Sequence, residues 1–256
     1  MNQENNIKFN FPTETVELPS KGLLYSLDNP LSSGEIEMKY MTAREEDILT
    51  NINFLKQGIA IDKVLQALIK SPINYEDLLL CDKNAILISA RILAYGKDYS
   101  FMYTNPNTDQ EEKVTIDLSK FENKEVDYSL FNNKNEFTFT LPRSKNEITF
   151  KLLTHADTKK IDAEIKGMKK VGNAGELTTK LKHQILAVNG DYEVKAIREF
   201  VDNYFLSIDT DAFRQHINQI TPDLDLKISF TLNDGTEVKN ISMPFELDFF
   251  FPGSRL

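Results

Sequence analysis

The side chains that could carry out chemistry are few and scattered in this sequence of 256 residues. The three histidines, His155, His183 and His216, have no second metal-ligating side chain three or four residues further on. A metal site would therefore have to be assembled from distant parts of the chain. No phosphate-binding loop, dinucleotide fingerprint or nucleophile elbow occurs at an expected strand-to-helix junction. We expect no catalytic residue, no metal and no cofactor.

Neighbouring carboxylates offer a second route to catalysis, as a general acid and a general base. Glu46 with Asp47, and Asp77 with Asp82, are the candidate pairs. Each pair lies near an expected helix start, where carboxylates stabilise exposed amides and the helix dipole without a catalytic role. We favour that capping role. The lone cysteine, Cys81, follows three leucines, and a buried thiol is favoured there over a nucleophile.

Arg91 is the one charged side chain on the otherwise apolar segment 85–95. A guanidinium in such surroundings needs a carboxylate or carbonyl partner, and the candidates are Glu45, Asp47 or a partner chain. A structural ion pair is favoured over a binding contact.

The C-terminal end is rich in phenylalanine, with Phe245, Phe249, Phe250 and Phe251 close together. These rings either pack over the chain's own helices, which is slightly favoured, or dock into a neighbouring protein.

Patterns of apolar residues predict the elements that hold these side chains. In the first half they predict a strand entering and leaving a Gly turn at residues 18–25 and a strand at 34–41. Helices at 42–58, 61–69 and 85–95 follow, and then strands at 99–104 and 113–118. The first helix begins with a capping box formed by Thr42 and Glu45. The helix at 85–95 has so little polar surface that it should be central.

The second half has a similar order of elements. The patterns predict strands at 137–141 and 148–153, helices at 154–170, 177–188, 194–204 and 212–220, and strands at 226–232 and 238–243. Asp209 or Thr210 should cap the last helix. The strands do not alternate with single helices, which disfavours a doubly wound sheet.

These elements predict an α+β protein in which helical clusters are each followed by an antiparallel β-hairpin, an order that suggests two similar halves. We expect a domain at 1–120 with entry strands, helices and the first hairpin. A second domain at 121–256 would hold strands, helices, the closing hairpin and the aromatic tail.

The composition narrows the class of protein. The net charge of −9 repels phosphate backbones and argues against nucleic-acid binding. The first residues lack the basic and apolar segments of a signal peptide, and no apolar run approaches the roughly 18 residues of a membrane span. We therefore expect a protein that is made in a reducing cytoplasm and does not enter a membrane.

Several blocks, in order along the chain, resemble the baseplate protein family of T-even-type contractile bacteriophage tails. That family includes the baseplate hub subunit and the hub assembly protein. The blocks are Leu18-Pro19-Ser20-Lys21-Gly22-Leu23-Leu24-Tyr25, residues 34–49, residues 62–65, residues 81–85 and Ala90-Arg91-Ile92-Leu93-Ala94-Tyr95-Gly96, with weaker matches at 209–222 and 249–252.

The resemblance implies a non-enzymatic part in building the baseplate hub, through contacts with other phage baseplate and tail proteins. It implies assembly in the host cytoplasm, and a place in the virion tail if the protein is retained. The alternative is a hub-assembly chaperone absent from the mature virion. A rival of another class is a tail-associated cell-wall hydrolase, which needs two carboxylates facing across a groove. The oligomeric state and the neighbours stay open.

We expect the docking contacts to come from exposed residues within these blocks. The candidates are Ser20, Lys21, Gly22, Arg44, Glu45, Asp47, Arg91, Phe249, Phe250 and Phe251.

The chain departs from the family at its two hairpin turns. The resemblance implies paired cysteines around these turns in some relatives, a pattern typical of zinc knuckles. Here the turns read Asn105-Pro106-Asn107 and Leu232-Asn233-Asp234-Gly235, and without thiolates they cannot hold zinc. We expect the turns to be held by Pro, Asn and Gly geometry and by strand pairing alone.

Overall fold

Helices and small antiparallel sheets alternate along the chain. The computed structural model describes residues 12–170, 175–243 and 247–250. The α-helices are α1 (Ala43–Leu49), α2 (Ile52–Gln57), α3 (Ala60–Leu68), α4 (Leu80–Tyr95), α5 (His155–Lys170), α6 (Glu176–Gln184), α7 (Val194–Asn203) and α8 (Ser207–Ile220). The strands are β1 (Thr13–Glu17), β2 (Glu35–Lys39), β3 (Asp98–Thr104), β4 (Glu111–Asp117), β5 (Phe137–Thr140), β6 (Glu147–Phe150), β7 (Ile185–Val188), β8 (Lys227–Thr231) and β9 (Glu237–Ser242). The predicted α+β class is confirmed.

All strand pairs in these sheets are antiparallel. Three sheets have two strands each, β1 with β2, β3 with β4, and β8 with β9, and the fourth has the order β5-β6-β7. The two hairpins predicted around residues 105–109 and 233–235 are confirmed. Because a two-stranded sheet is marginal on its own in water, each hairpin depends on what it packs against.

The start of α1 was predicted correctly from nearby residues, but the boundary between α1 and α2 was not. The predicted capping box is present, since the Glu45 carboxylate accepts from Thr42 N at 3.0 Å. The single helix expected at 42–58 is wrong, because Asn51 caps a new helix there and α1 and α2 are separate. Gly58 ends α2 with a φ of 71°, as predicted. Ile52, the first residue of α2, is 66% exposed.

The strand segments predicted on either side of a Gly turn at residues 18–25 are wrong, whereas the predicted turn is present at Gly22. The strand is β1, which ends at Glu17, and residues 19–25 form successive turns. Lys21 and Gly22 adopt positive φ values of 51° and 73°, which breaks any extended chain. The partner strand β2 lies where the alternating pattern predicted it.

Helix α4 is the central helix of the N-terminal part, as its composition predicted. It starts at Leu80, five residues before the predicted start, and its residues Ile86, Ile88 and Ala90 are at most 3% exposed. No helix among the described residues combines the length and apolarity needed to cross a bilayer.

Two predictions in the second half need correction. Residues 185–188 are the strand β7 rather than the end of a helix, because they pair with β6 and bury Ile185 and Val188. Helix α8 starts at Ser207, so Asp209 and Thr210 lie inside it rather than capping it. The Asp209 carboxylate instead accepts from the backbone N–H groups of the 143–144 turn, at 2.7 and 2.9 Å.

Buried apolar side chains form two clusters. The first cluster surrounds α4 and includes β1 to β4 together with the C-terminal hairpin β8-β9. The second lies between β5-β6-β7 and the helices α6, α7 and α8. The division into 1–120 and 121–256 stays a prediction, and the first cluster draws side chains from both of those segments.

Candidate functional site

A buried carboxylate fixes the turn segment at residues 19–25, the first of the candidate docking regions. Asp82, on the first turn of α4, is fully buried. It accepts hydrogen bonds from Ser20 N at 2.9 Å, Ser20 Oγ at 2.7 Å and Tyr25 OH at 2.7 Å. The Tyr25 hydroxyl in turn accepts from Leu79 N at 3.0 Å. The turn segment is therefore tied to the central helix by four bonds.

The protonation of this group is set by its surroundings. Burial raises the pKa of the Asp82 carboxyl, and the bonds from Tyr25 and Ser20 oppose that rise. Burial, then the neighbouring Asp82, raises the pKa of the Tyr25 phenol, which stays protonated and acts as a donor. The cluster has no exposed face on which a substrate could react, so its role is to hold the segment in place.

Of the three residues predicted at this turn, Lys21 alone lies on the surface. Ser20 and Gly22 are buried, and the prediction that they are exposed is wrong. A Cβ on Gly22 would lie 2.4 Å from the Ser32 carbonyl oxygen, so the two chain segments approach closely. The Lys21 ammonium lies 4.0 Å from the centroid of the Tyr128 ring. This cation–π contact orients the exposed lysine.

The start of α1 is the second candidate region. Arg44 and Asp47 are exposed there, whereas Glu45 is 2% exposed, so its predicted exposure is wrong. Glu45 also accepts from the Lys39 ammonium at 2.8 Å. Burial acts to raise the pKa of Glu45, but the bonds from Lys39 and Thr42 hold it below its ordinary value. Glu45 thus holds the helix start in place and leaves Arg44 and Asp47 pointing outward.

Arg91 is an internal residue rather than a docking contact, because it is 3% exposed. Its guanidinium donates to the carbonyl oxygens of Gly96 at 2.9 Å and Asp98 at 3.3 Å, which ties the end of α4 to the start of β3. The side chain also lies over the rings of Tyr95 and Phe249 at 5.2 and 5.9 Å. The expected need for a buried partner is met here by carbonyl groups.

The described C-terminal rings pack inside the chain. Phe249 and Phe250 are 2% and 3% exposed, and Phe249 meets Tyr99 edge-on at 5.1 Å. Packing on the chain's own core, the favoured alternative, is confirmed for these two rings, and their predicted role as exposed docking residues is wrong. Phe245 and Phe251 lie outside the described residues.

The histidines occupy three separate environments. His155 is buried against Tyr75 at 4.7 Å, His183 contacts the Glu164 carboxylate at 2.9 Å, and His216 stacks on Phe139 at 4.4 Å. Within the ranges that the structure describes, no three His, Cys, Asp or Glu side chains are grouped to hold a metal ion.

The tips of the two hairpins β3-β4 and β8-β9 touch each other, a contact that no local sequence pattern predicts. The Asn105 amide donates to Glu112 Oε1 and to Asp234 Oδ2, both at 3.0 Å. Asn233 N donates to Glu112 Oε2 at 2.8 Å. The prediction that Pro, Asn and Gly geometry and strand pairing alone hold these turns is therefore wrong, because side chains of the opposite tip also hold them.

A further cross-tip bond joins Asn107 Nδ2 to Thr236 Oγ1 at 2.9 Å. The bond from Asn105 lowers the pKa of Asp234 to about 2, so this carboxylate stays charged in the folded protein at ordinary pH. Asn105 is fully buried, and a buried amide needs hydrogen-bond partners such as the carboxylates of Glu112 and Asp234.

Comparison with known proteins adds one match. A family model described as T4 bacteriophage base plate protein matches residues 6–252. No curated protein and no solved structure matches the chain.

Proposed function

The chain belongs to the T4 bacteriophage base plate protein family, and from that membership we propose that it is a structural or assembly component of the baseplate hub. It acts by contacts with other phage baseplate and tail proteins, during assembly in the host cytoplasm and in the contractile tail if it is retained. The observation that carries the proposal is the family match, which extends over both apolar clusters.

The internal use of the polar groups supports this proposal. Asp82, Glu45 and Arg91 are buried and bonded to the chain's own turns and helix ends. Buried polar groups with satisfied bonds make a surface rigid, and a rigid surface loses less entropy on binding a partner.

The docking surface we propose consists of Lys21, Arg44 and Asp47. All three side chains are exposed. Lys21 follows Ser20, which is buried and donates to the Asp82 carboxylate. Arg44 and Asp47 lie within two residues of Glu45, whose buried carboxylate accepts from Thr42 N. Positive and negative side chains on a fixed backbone suit a polar interface. Such an interface contributes more to the choice of partner than to the binding affinity.

Co-purification from infected cells tests the surface. A tagged chain carrying Lys21→Ala and Arg44→Ala should recover at least about threefold less of the hub proteins than the unchanged chain, since loss of about 0.7 kcal/mol gives that ratio. The matched control carries Lys195→Ala and Arg214→Ala, two exposed cations on α7 and α8. Equal recovery by the unchanged chain and both variants would count against the surface.

Mass spectrometry of purified particles separates the two roles. A structural component is found in the virion at a fixed ratio to the hub proteins. A hub-assembly chaperone is found with tail intermediates and is absent from the particle. Absence from both would contradict the proposed function as a whole.

A further inference from the structure

Two strands with unpaired edges face each other in the region of the hairpin tips. Strand β4 pairs with β3, and β8 pairs with β9, but β4 and β8 belong to different sheets. They run in opposite directions, because the chain leaves the β3-β4 tip along β4 and approaches the other tip along β8.

The two strands are held together at both ends. At the tips Asn233 N donates to the Glu112 carboxylate. At the bases Lys124 N donates to Asp223 O and Asp225 N to Glu122 O, each at 2.8 Å. Between these closures the two edges are not joined by a ladder.

The bonding register shows which main-chain groups of β4 face the gap. At the tip Asn105 N donates to Gln110 O, and at the base Leu118 N donates to Lys97 O. Bonded pairs alternate along an antiparallel ladder, so the even-numbered residues of β4 bond to β3. The main-chain groups of Thr115 and Asp117 are therefore directed away from β3.

The same reasoning applies to β8. Leu232 N donates to Thr236 O, and Met243 N donates to Leu226 O, so the even-numbered residues of β8 bond to β9. The register shift between Ile228 and Phe230 does not change which residues of β8 bond to β9, since Ile228 and Phe230 are both even-numbered and both pair with β9. The main-chain groups of Ser229 are thus directed towards the gap, whereas Lys227 N already donates to Asp225 Oδ1 at 3.3 Å.

The gap between the strands is an open groove of about 430 Å³. Apolar side chains at its lining are Ile116, Phe121, Ile228 and Phe230. Charged side chains at its rim are Asp117, Lys120, Glu122, Asp225 and Lys227. The charges protect the two edges from pairing with any passing strand, which is how exposed edges avoid aggregation.

We propose that this groove binds a short extended peptide segment from another baseplate protein, an inference that rests on the proposed function. The segment bonds through its main chain to the outward groups of β4 on one side and of β8 on the other. It lies antiparallel to one strand and parallel to the other, a mixed pairing that sheets accept. Alternate side chains of the segment point into the apolar lining.

The chemistry of the groove favours an extended chain over other occupants. Main-chain donors and acceptors of β4 and of β8 that face the groove suit an extended chain, whereas a helix uses its own groups internally. The length from residue 113 to residue 117 accommodates about five residues at about 3.4 Å each. Specificity then comes from the one or two side chains that enter the lining.

Binding to tiled peptides tests the proposal. The probes are overlapping ten-residue peptides that cover the other baseplate proteins of the same phage and this chain itself. The purified full-length protein should bind one or a few peptides of alternating apolar pattern. Amide hydrogen exchange of the complex should then slow at least about tenfold at Thr115, Asp117 and Ser229.

Proline variants test the main-chain contacts directly. Thr115→Pro and Ser229→Pro each remove one N–H that faces the groove, at an edge where proline is tolerated, and should weaken peptide binding at least about tenfold. Thr115→Ala and Ser229→Ala lose the same hydroxyl groups but keep the N–H, and should bind within about twofold. The exchange experiment needs no variant, so it decides the matter if a proline variant fails to fold.

The outcomes separate this inference from the proposed function. If no peptide binds, or a peptide binds without protecting these three amides, the groove proposal is overturned while co-purification with hub proteins can still support the function. Tight binding confined to peptides of this chain would assign the groove to a second copy and overturn the proposed partner.

Discussion

Asp82 joins the turn segment to the central helix, and its loss should destabilise the fold more than the loss of any exposed carboxylate. In Asp82→Ala the buried donors of Ser20 and Tyr25 lose their acceptor, at a cost on the order of 3 kcal/mol in the free energy of unfolding. Asp82→Asn keeps one acceptor oxygen and should cost less. Urea unfolding measures the stability of both variants, with Asp225→Ala, at an exposed carboxylate, as the control. Equal urea midpoints for Asp82→Ala and the control would show that the buried carboxylate does not hold the turn segment.

Gly22 and Gly58 form a matched pair that separates backbone strain from steric overlap. Both have φ near 70°, but a Cβ on Gly22 meets the Ser32 carbonyl at 2.4 Å while a Cβ on Gly58 meets nothing within 4 Å. Gly58→Ala should cost about 1 kcal/mol from its φ alone. Gly22→Ala should cost about 3 kcal/mol, because the two backbone segments must also move apart. Thermal unfolding of the two variants gives the order, and a larger effect at Gly58 would be inconsistent with the close approach.

Burial was the residue property that the sequence predicted least well. Ser20, Arg91 and Phe249 are residue types that occur both at the surface and in the interior. The residues that bury each of them are distant in sequence or are brought there by tertiary packing. Ser20 meets a carboxylate 62 residues away, and Phe249 packs on Tyr99. No local pattern carries that information, so the candidate site reduces to Lys21, Arg44 and Asp47.

At the scale of elements, the contact between the hairpin tips should give the protein an acid-sensitive component of stability. The amide of Asn105 lowers the pKa of Asp234 to about 2 from an ordinary value of 3.8. A carboxyl whose pKa is depressed by folding stabilises the fold above its ordinary pKa, and this contribution is lost as pH falls from about 4 to about 2.

Asp234→Asn removes that component. The difference in urea midpoint between the unchanged chain and Asp234→Asn should therefore be constant above pH 5 and should shrink as pH falls towards 2. Asp117, whose pKa the Lys97 bond also lowers to about 2, titrates in both proteins and cancels from the difference. A difference that does not change with pH would show that the tip contact does not stabilise the charged carboxylate.

Elements that depend on nearby residues were predictable, and those that depend on distant pairing were not. The capping box at Thr42 and the turn at Asn233-Asp234-Gly235 are complete within four residues, and both are present. Residues 185–188 could continue a helix by local preference, but pairing with β6 makes them a strand. The Gly turn within residues 18–25 was predictable, but the bonds to Asp82, 62 residues away from Ser20, hold the flanking residues in turns instead of strands.

At the scale of the whole molecule, the C-terminal hairpin completes the N-terminal cluster. Ile228, Leu232 and Val238 are buried together with Leu18, Ile86 and other N-terminal side chains. Because the hairpin tips and bases also close the groove between β4 and β8, the fold places the proposed peptide site where the two ends of the sequence meet.

If this protein works through contacts with other baseplate proteins, lysine cross-linking of assembling tails should capture those contacts. Lys21 is an exposed residue of the proposed docking surface, and Lys227 is exposed and lines the groove. Mass spectrometry should find cross-links from one or both of these lysines to hub proteins in tail intermediates. Cross-links confined to the chain itself, with the protein separating from those intermediates, would contradict the account.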